Sequence, residues 1–250
     1  MKEYVAQNAK VIDGWCRDGW EWSLPVSHEV YEEARRGNFR LLLTPVKPVP
    51  RGWFGELRGR RVLALAAGGG QQGPLLAAQG AEVTVMDFSE EQLRRERGVR
   101  EREGYAIRIV QGDMSEAFPF GDGEFDLIVH PVANVYVRDV AHVWRECARV
   151  LKPGGLLMAG LDNGINFITD DGGTRIENAL PFDPLADEEL HRKSLETNSG
   201  FQFSHTAGEQ LGGQLKAGFE LIDLYEDTNG SGRLHELNIP AFWATLARKR

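Results

Sequence analysis

The chain has 250 residues, of which 42% are hydrophobic, and a formal net charge of −8. This length suits one domain with insertions, or one domain with a small cap. Broad binding of nucleic acid depends largely on cationic contacts to phosphates, so an acidic chain leads us to expect no nucleic-acid partner. No apolar run approaches membrane-spanning length, and we expect no membrane association.

The cysteines and the N-terminus indicate a cellular location. Cys16 and Cys147 are the two cysteines, and they do not have the spacing of metal ligands. The N-terminus lacks the apolar core of a targeting segment. Together these observations predict a cytoplasmic protein with reduced thiols and without a metal site.

Residues 1–56 are rich in aromatic side chains and are predicted to form an N-terminal cap or lid. Trp15, Trp20 and Trp22 lie within a few residues of one another. Such a cluster can pack as a plain cap on the helices of a domain. It can also form a lid whose aromatic faces line a substrate cavity and exclude water. Residues 30–36 are predicted to form a short helix in this region.

The stretch 62–73 organises the remainder of the chain. An apolar run meets a cluster of glycines there, and a helix-like segment follows at residues 74–79. A buried parallel strand leads into a helix in this way in nucleotide-binding sheets. Gly68, Gly70 and Gly73 match the dinucleotide pattern GxGxxG, but that match is weak by itself. A cofactor loop and a plain tight turn therefore both remain open.

A second β-rich run, residues 82–87, ends in Asp87, which falls 19 residues after Gly68. An acid at this place in a nucleotide fold accepts hydrogen bonds from ribose hydroxyls, whereas the plain alternative is helix capping. Ser89 opens a capping box, and a helix is predicted from there to about Glu103. The arginines and glutamates that alternate in this helix favour a solvated face over a nucleic-acid patch.

Strands and helices continue to alternate along the rest of the chain. Strands are predicted at residues 106–110, 127–129, 156–161, 219–224 and 241–247, and helices are predicted to begin at Asp139 and Thr206. Trp144 and Cys147 fall on the apolar face of the first of these helices and are predicted to be buried. The alternation predicts an α/β fold with a doubly wound, mostly parallel sheet. Residues 162–203 break the alternation and are predicted to form an insertion over the active site, at the strand ends.

Five short blocks stand in the order and spacing of a known family. They are the glycine loop, Asp87 after the second strand, Gly112-Asp113, Pro119 to Asp126, and Leu151 to Gly155. In this order they resemble the class I S-adenosylmethionine-dependent methyltransferases, closest to the type 11 group, whose Rossmann-like sheet has seven strands. The loop AAGGGQQG departs from the family at Ala64, where an acid is usual, and at Ala66, where a glycine is usual. It looks like the loop of an uncharacterised subgroup with a tryptophan-rich N-terminus.

The resemblance implies S-adenosylmethionine as the cofactor, and it implies a set of cofactor-binding residues. These are Ala66, Ala67, Gly68, Gly70, Gln72, Asp87, Phe88, Asp113, Met114 and His130. The backbone of the glycine loop would approach the methionine half of the cofactor. Asp87 would hold the ribose hydroxyls, and Phe88 would pack on the adenine face. Asp113 would accept the adenine amino group, with Met114 beside the ring.

His130 ends the fourth predicted strand, where the resemblance places the sulfonium and the acceptor. A histidine there is a candidate catalytic base for the acceptor proton, since its unperturbed pKa is about 6.5. It could equally serve only to orient the loop or the cofactor. The residues predicted to contact the substrate are Trp20, Trp22, Tyr31, Asn134 and Tyr136.

The resemblance implies a methyltransferase domain at residues 57–250 that acts on a small-molecule acceptor. Two alternatives remain open. Loss of the usual acid at Ala64 is compatible with a protein that binds S-adenosylmethionine without catalysis. The literal glycine pattern is compatible with an NAD(P)-dependent oxidoreductase, although that function leaves the blocks 119–126 and 152–155 unexplained. The sequence identifies neither the acceptor nor the oligomeric state.

Overall fold

The computed structural model describes residues 2–170 and 172–250, and a seven-stranded sheet lies at its centre. The strands are β1 (Arg61–Leu65), β2 (Glu82–Asp87), β3 (Arg108–Gln111), β4 (Phe125–His130), β5 (Leu151–Asp162), β6 (Phe219–Asp227) and β7 (Phe242–Lys249). Their order in the sheet is β3-β2-β1-β4-β5-β7-β6. The first five strands pair in parallel, and β7 pairs antiparallel with both β5 and β6. The predicted doubly wound, mostly parallel, seven-stranded fold is confirmed.

Helices lie on both faces of the sheet, as the alternation predicts. They are α1 (Glu3–Arg17), α2 (His28–Arg35), α3 (Arg51–Phe54), α4 (Gln72–Ala78), α5 (Glu90–Glu103), α6 (Val140–Val150), α7 (Ile165–Ile168), α8 (Glu188–Glu196), α9 (Ala207–Lys216) and α10 (Gly232–Glu236). One core joins the sheet to α3, α4 and α5, and a second core joins the other face to α6 and α9. Trp144 and Cys147 of α6 are fully buried in the second core, which confirms the prediction.

Strand β1 shows why the central strands read as continuous apolar runs. Leu63 and Leu65 enter one core, whereas Val62 and Ala64 enter the other. All four are completely buried, because a parallel strand in the middle of a sheet is covered on both faces. Ala64, which stands where the resembling family has an acid, is therefore a packing residue in this chain.

The N-terminal segment contains a helix, α1, that the sequence analysis did not predict. Its buried apolar residues are Tyr4, Val5, Val11, Ile12 and Cys16. Their spacing follows the period of a helix, so the signal was present in the sequence. α1 packs on Phe88 and on α5, where Ser89 Oγ donates a hydrogen bond of 2.6 Å to Asp13. Residues 41–57 instead enter the core of the sheet, and the boundary of the cap at residue 56 stays a prediction.

Strand β5 begins earlier than predicted, at Leu151 instead of residue 156. Leu151 pairs with Phe125 and Leu156 pairs with Leu127, so residues 152–155 bulge opposite a single residue of β4. Gly154 has a φ of +76° in this bulge, a left-handed conformation that favours glycine. Residues 152–155, which precede the predicted strand, thus lie within the observed one.

Residues 162–203 contain two helices, α7 and α8, and neither was predicted. The side chain of Asp187 caps α8 by accepting hydrogen bonds from the backbone of Glu189 and Leu190. Helix α8 contains few apolar residues, and for this reason the sequence of the segment resembles a polar loop.

Candidate active site

A cavity of about 860 Å³ lies at the carboxyl ends of the parallel strands. Its floor is formed by the glycine loop after β1 and by the residues that follow β2 and β4. The N-terminal segment and residues 162–203 supply the rest of its lining. Open α/β sheets bind ligands at this edge, next to the strands where the chain changes direction across the sheet.

The structure brings six of the ten predicted cofactor residues together on the cavity wall. The six are Ala66, Ala67, Gly68, Gln72, Asp87 and Phe88. The wall does not include the other four, which are Gly70, Asp113, Met114 and His130. Because β1 and β2 are neighbours in the sheet, the loops that follow them meet at one point.

Asp87 is the acid at the centre of this group. One carboxylate oxygen accepts a hydrogen bond from the backbone N–H of Gly68 at 3.0 Å, and the other accepts one from Ser89 at 2.9 Å. Burial raises the pKa of Asp87 to about 6, against the effect of these hydrogen bonds. Each carboxylate oxygen has a second lone pair, so the group can still accept two hydroxyl protons.

The first loop residue, Ala66, has a left-handed backbone with a φ of +49°. Its N–H donates to the carbonyl of Met86 at 2.7 Å, which holds the chain in this turn. A residue with a Cβ adopts this conformation at a cost of about 1–2 kcal/mol. This left-handed turn explains why the family that the chain resembles usually has a glycine at this position. The present chain forms the same turn with an alanine.

The three glycines 68–70 direct their N–H groups into the protein. They donate in turn to the Asp87 carboxylate, to the carbonyl of Gln92 at 2.9 Å and to the Glu96 carboxylate at 2.9 Å. Gly70 packs so closely on α5 that an added Cβ would lie 2.6 Å from Val99. The glycines thus allow the loop to dock on α5, a role that the sequence analysis did not give them.

Asp113 and Met114 follow β3 and are not among the residues that line the cavity. One oxygen of Asp113 accepts a hydrogen bond from the backbone of Ser115 at 2.8 Å. The other oxygen is buried and has no partner among residues 2–170 and 172–250. Met114 is buried in the core beside Met86. An unpaired buried acceptor at this position suits the amino group of an adenine.

His130 is fully buried at the end of β4. Its Nδ1 lies 3.0 Å from the carbonyl oxygen of Leu65, and its Nε2 lies 2.9 Å from the side-chain oxygen of Asn134. A carbonyl only accepts hydrogen bonds, so Nδ1 carries a proton. Burial lowers the pKa of His130, so the ring is neutral and Nε2 must accept a hydrogen bond.

The side-chain amide of Asn134 supplies this hydrogen bond when its oxygen and nitrogen are exchanged, because the two orientations have the same shape. The same exchange suits Gln210, whose Nε2 lacks a partner within the described chain. Its amide lies 3.0 Å from that of Asn134 and can then donate to it. His130 is thereby tied to β1 on one side and to α9 on the other. The hypothesis that it acts as a base stays a prediction.

The predicted substrate residues separate into two groups. Trp20, Trp22 and Tyr136 line the cavity. Tyr31 lies elsewhere and stacks on Tyr105, with 5.5 Å between the ring centroids. Asn134 is buried beside His130, as described above.

Asp162 is a cavity residue that the sequence analysis missed. It ends β5 and is 6% exposed. Its two oxygens accept hydrogen bonds from the backbone of Gly164 at 2.7 Å and from the side chain of Asn166 at 2.8 Å. Burial raises its pKa to about 6. An acid directly after a predicted strand was the available signal, the same signal that identified Asp87.

The insertion contributes further residues that no motif indicated. Those on the cavity wall include Asn166, Phe167, Asp170, Glu177, Phe182 and Lys193. They combine aromatic faces with hydrogen-bonding groups, which is the usual lining of a small-molecule site.

The site fits S-adenosylmethionine in the chemistry of its side chains. A buried carboxylate faces the cavity for ribose hydroxyls, an unpaired carboxylate oxygen suits an adenine amino group, and Phe88 offers an aromatic face. Within the described residues, His, Cys, Asp and Glu side chains form no group of three or more that could hold a metal ion. No helix in the described part of the chain combines the length and apolarity needed to cross a membrane.

Comparison with known proteins agrees with this geometry. A family model for a methyltransferase domain, of the type 11 group, matches residues 63–159. The chain is 43% identical over 237 residues to the uncharacterized methyltransferase YbaJ of Bacillus subtilis. That alignment covers 92% of this chain and 93% of the relative.

Two solved structures share the fold. An S-adenosylmethionine-dependent methyltransferase from Mesorhizobium loti is 22% identical with a TM-score of 0.65, and the match covers 80% of this chain and 95% of that one. The 1,6-didemethyltoxoflavin-N1-methyltransferase of Burkholderia thailandensis is 18% identical with a TM-score of 0.62, over 99% and 89% of the two chains. Its crystal structure holds 1,6-didemethyltoxoflavin and S-adenosylhomocysteine.

The relative from Bacillus subtilis matches along almost the whole chain, so the similarity is not confined to a shared cofactor motif. It supports methyl transfer over the two alternatives that the sequence left open, nicotinamide chemistry and binding without catalysis. The chain therefore belongs to the S-adenosylmethionine-dependent methyltransferases, in the type 11 group.

Proposed function

We propose that this methyltransferase transfers the methyl group to a small molecule held between the glycine loop and the insertion. The observation that carries the proposal is the continuity of the cavity. It extends from Asp87, on the cofactor side, to Phe182 and Lys193 in the insertion. The cap and the insertion both contribute to its lining, and a cavity of about 860 Å³ has the size of a small-molecule site. The Burkholderia protein, of the same fold, binds such a molecule.

S-adenosylmethionine supplies a methyl group that is already electrophilic, because it is bonded to a positively charged sulfur. The chain itself must align the acceptor with that methyl group and exclude water. The cavity residues Trp20, Trp22 and Tyr136 are suited to both tasks, since they bring large aromatic side chains to the cavity lining.

For the cofactor, we propose that Asp87 holds the ribose hydroxyls and that Phe88 packs on the adenine. Asp113 accepts the adenine amino group through its unpaired oxygen. This last contact requires the wall in front of Asp113 and Met114 to open slightly when the cofactor binds. The main chain of Ala66 to Gly68 faces the methionine half.

For the acceptor proton, we propose Asp162 as the group that receives or orients it. Asp162 lines the cavity and its raised pKa, about 6, makes the carboxylate a stronger base than an exposed one. His130 instead has both ring nitrogens in hydrogen bonds and lies behind the cavity wall. In this assignment His130 is a positioning residue that fixes the end of β1.

The test is a screen for the acceptor. Purified protein and S-adenosylmethionine are incubated with fractionated small metabolites, and S-adenosylhomocysteine formation is followed together with the mass of methylated products. We expect a small-molecule fraction to give product with the wild type and much less with Asp87→Asn. Transfer found only to protein or nucleic acid from the same extract would contradict the proposal.

We also propose a cytoplasmic location and no partner among nucleic acids or membranes. Both cysteines are buried and unpaired in the described chain, which suits a reducing compartment. The N-terminal segment at residues 1–56 serves as a lid in this proposal, since Ile12, Trp20 and Trp22 lie on the cavity wall.

A further inference from the structure

The inner face of α5 buries two polar side chains in a helix that is otherwise strongly charged. Gln92 and Glu96, one turn apart, are 7% and 0% exposed. Burying an amide or a carboxyl group costs free energy unless the group finds hydrogen-bond partners. Each of the two residues therefore raises the question of what pairs with it.

Glu96 finds its partners within the protein. One carboxylate oxygen accepts the N–H of Gly70 at 2.9 Å, and the other accepts the hydroxyl of Tyr105 at 3.3 Å. The space that Glu96 occupies is available only because residue 73 is a glycine, where an added Cβ would lie 2.6 Å from the carboxylate. Glu96 thus fixes the glycine loop on α5.

In contrast to Glu96, the side-chain oxygen of Gln92 has no hydrogen-bond partner in the described chain. Its backbone carbonyl accepts the N–H of Gly69 at 2.9 Å. Its side-chain oxygen is buried and, within residues 2–170 and 172–250, has no partner. The residue lines the cavity. A buried, unpaired amide oxygen of a residue that lines a ligand cavity is satisfied when the ligand supplies a donor.

The position of Gln92 indicates which part of the ligand it meets. A Cβ added to Gly68 would lie 2.7 Å from Gln92 Cβ and 3.0 Å from a carboxylate oxygen of Asp87. Gln92 and Asp87 therefore flank the same point of the loop. An amide both donates and accepts hydrogen bonds. The Gln92 amide can therefore donate to a ribose hydroxyl that itself donates to the Asp87 carboxylate, or it can accept a hydrogen bond from the adjacent ribose hydroxyl.

We propose that Gln92 is a second ribose ligand, which hydrogen-bonds a ribose hydroxyl of S-adenosylmethionine beside Asp87. The proposal rests on the ribose position given to Asp87 under the proposed function. It is independent of the acceptor, because it concerns the cofactor half of the cavity alone. Sequence patterns did not indicate it, since Gln92 lies inside a run of arginines and glutamates.

The test measures cofactor-product affinity in Gln92→Met, which retains the length of the side chain and removes its hydrogen bonds. Gln7→Met on α1 is the matched control, with the same substitution outside the cavity wall. By calorimetry, we expect the Kd of S-adenosylhomocysteine to rise about tenfold in the first variant, the effect of losing one hydrogen bond, and to be unchanged in the second.

A pair of smaller ligands then locates the contact. Adenosine should bind Gln92→Met about tenfold more weakly than it binds the wild type. The affinity of 2′,3′-dideoxyadenosine, which lacks the 2′ and 3′ hydroxyls, should be the same for both proteins. If Gln92→Met melts below the assay temperature, Gln92→Asn replaces it, because a side chain one methylene shorter withdraws the amide from the ribose.

Two results would overturn the proposal. One is unchanged affinity of Gln92→Met for S-adenosylhomocysteine while the wild type binds it. The other is an equal loss for adenosine and its dideoxy analogue, which would place the contact away from the hydroxyls. Failure of the small-molecule proposal would leave all these affinities as expected, since none of the ligands contains an acceptor.

Discussion

The half of the cavity that we propose for the cofactor and the half that we propose for the acceptor differ in how their walls are held. On the cofactor side, the loop glycines 68–70 all donate to groups on β2 and α5, so the floor is fixed by consecutive hydrogen bonds. On the acceptor side, the cap and the insertion come from distant parts of the chain. Asn8 joins them, since its amide exchanges hydrogen bonds of 2.9 and 2.7 Å with the backbone of Phe201.

The difference in how the walls are held suits one half of the cavity to cofactor binding and the other half to the choice of acceptor. The fixed floor suits a cofactor whose shape is constant across a large family, because a preorganised site loses little freedom on binding. The walls on the acceptor side can vary without disturbing the sheet, which suits a choice of acceptor. Substitutions in the floor should therefore change cofactor affinity, whereas substitutions in the acceptor half should change turnover.

The largest effect is expected at Asp162, on the acceptor side. If it receives the acceptor proton, Asp162→Asn should reduce kcat by roughly 10²–10⁴-fold, the usual contribution of a general base. The Kd of S-adenosylhomocysteine should stay within twofold of the wild type. Steady-state kinetics and calorimetry measure the two quantities, with Asp122→Asn, an exposed surface acid, as the control. Equal kcat in Asp162→Asn and the control would contradict the role.

The next effect is expected at Asp87, on the cofactor side. Asp87 is buried, so Asp87→Asn, which keeps its shape, is a better variant than alanine. Loss of the charged acceptor should weaken S-adenosylhomocysteine binding by about 1.5–3 kcal/mol, or roughly 10- to 100-fold. Calorimetry at neutral pH measures the affinity, and circular dichroism checks the fold. Unchanged affinity would remove Asp87 from the ribose site.

A smaller effect is expected at Glu96, as a dependence of stability on pH. Burial raises the pKa of Glu96 to about 7, from its ordinary value of 4.5. The native state then holds this proton over a range in which the unfolded chain releases it, so the contribution to stability falls as pH rises through that range. Relative to Glu96→Gln, the wild type should lose on the order of 2–3 kcal/mol of unfolding free energy between pH 5 and pH 8.

Urea unfolding at several pH values measures this difference for Glu96. Asp162, whose pKa is also raised, contributes equally in both proteins, whereas Asp87 interacts with Glu96, so the comparison measures Glu96 together with this coupling. Glu101→Gln, an exposed site on the same helix, should show no such trend. A difference between wild type and Glu96→Gln that does not change with pH would show that Glu96 does not titrate in this range.

The smallest effect is expected at Ala66, where the fixed floor contains a left-handed alanine. Ala66→Gly should raise the unfolding free energy by about 1 kcal/mol, because glycine adopts a φ of +49° without the clash of a Cβ. The melting temperature should rise by roughly 2–4 °C. Ala67→Gly, one residue later and without a positive φ, should lower it. Similar shifts in both variants would argue against strain at residue 66.

The sequence by itself determined the central sheet and much of the floor that we propose for the cofactor. Strands β1, β2 and β4 read as apolar runs because each is covered on both faces, and that burial follows from local pattern alone. The glycine loop and Asp87 stand at the ends of such runs, so their place at the carboxyl edge of the sheet could be predicted. For these strands, the local sequence pattern and the packing of the sheet both require apolar residues.

Tertiary structure alone decided which polar residues are buried. Gln92 and Glu96 lie among arginines and glutamates, and only the docking of the glycine loop on α5 distinguishes them from their solvated neighbours. His130 ends a strand just as Asp162 does, yet Asn134 covers the first while the second faces the cavity. The burial of a polar group depends on partners that are distant in the chain, and no local periodicity records them.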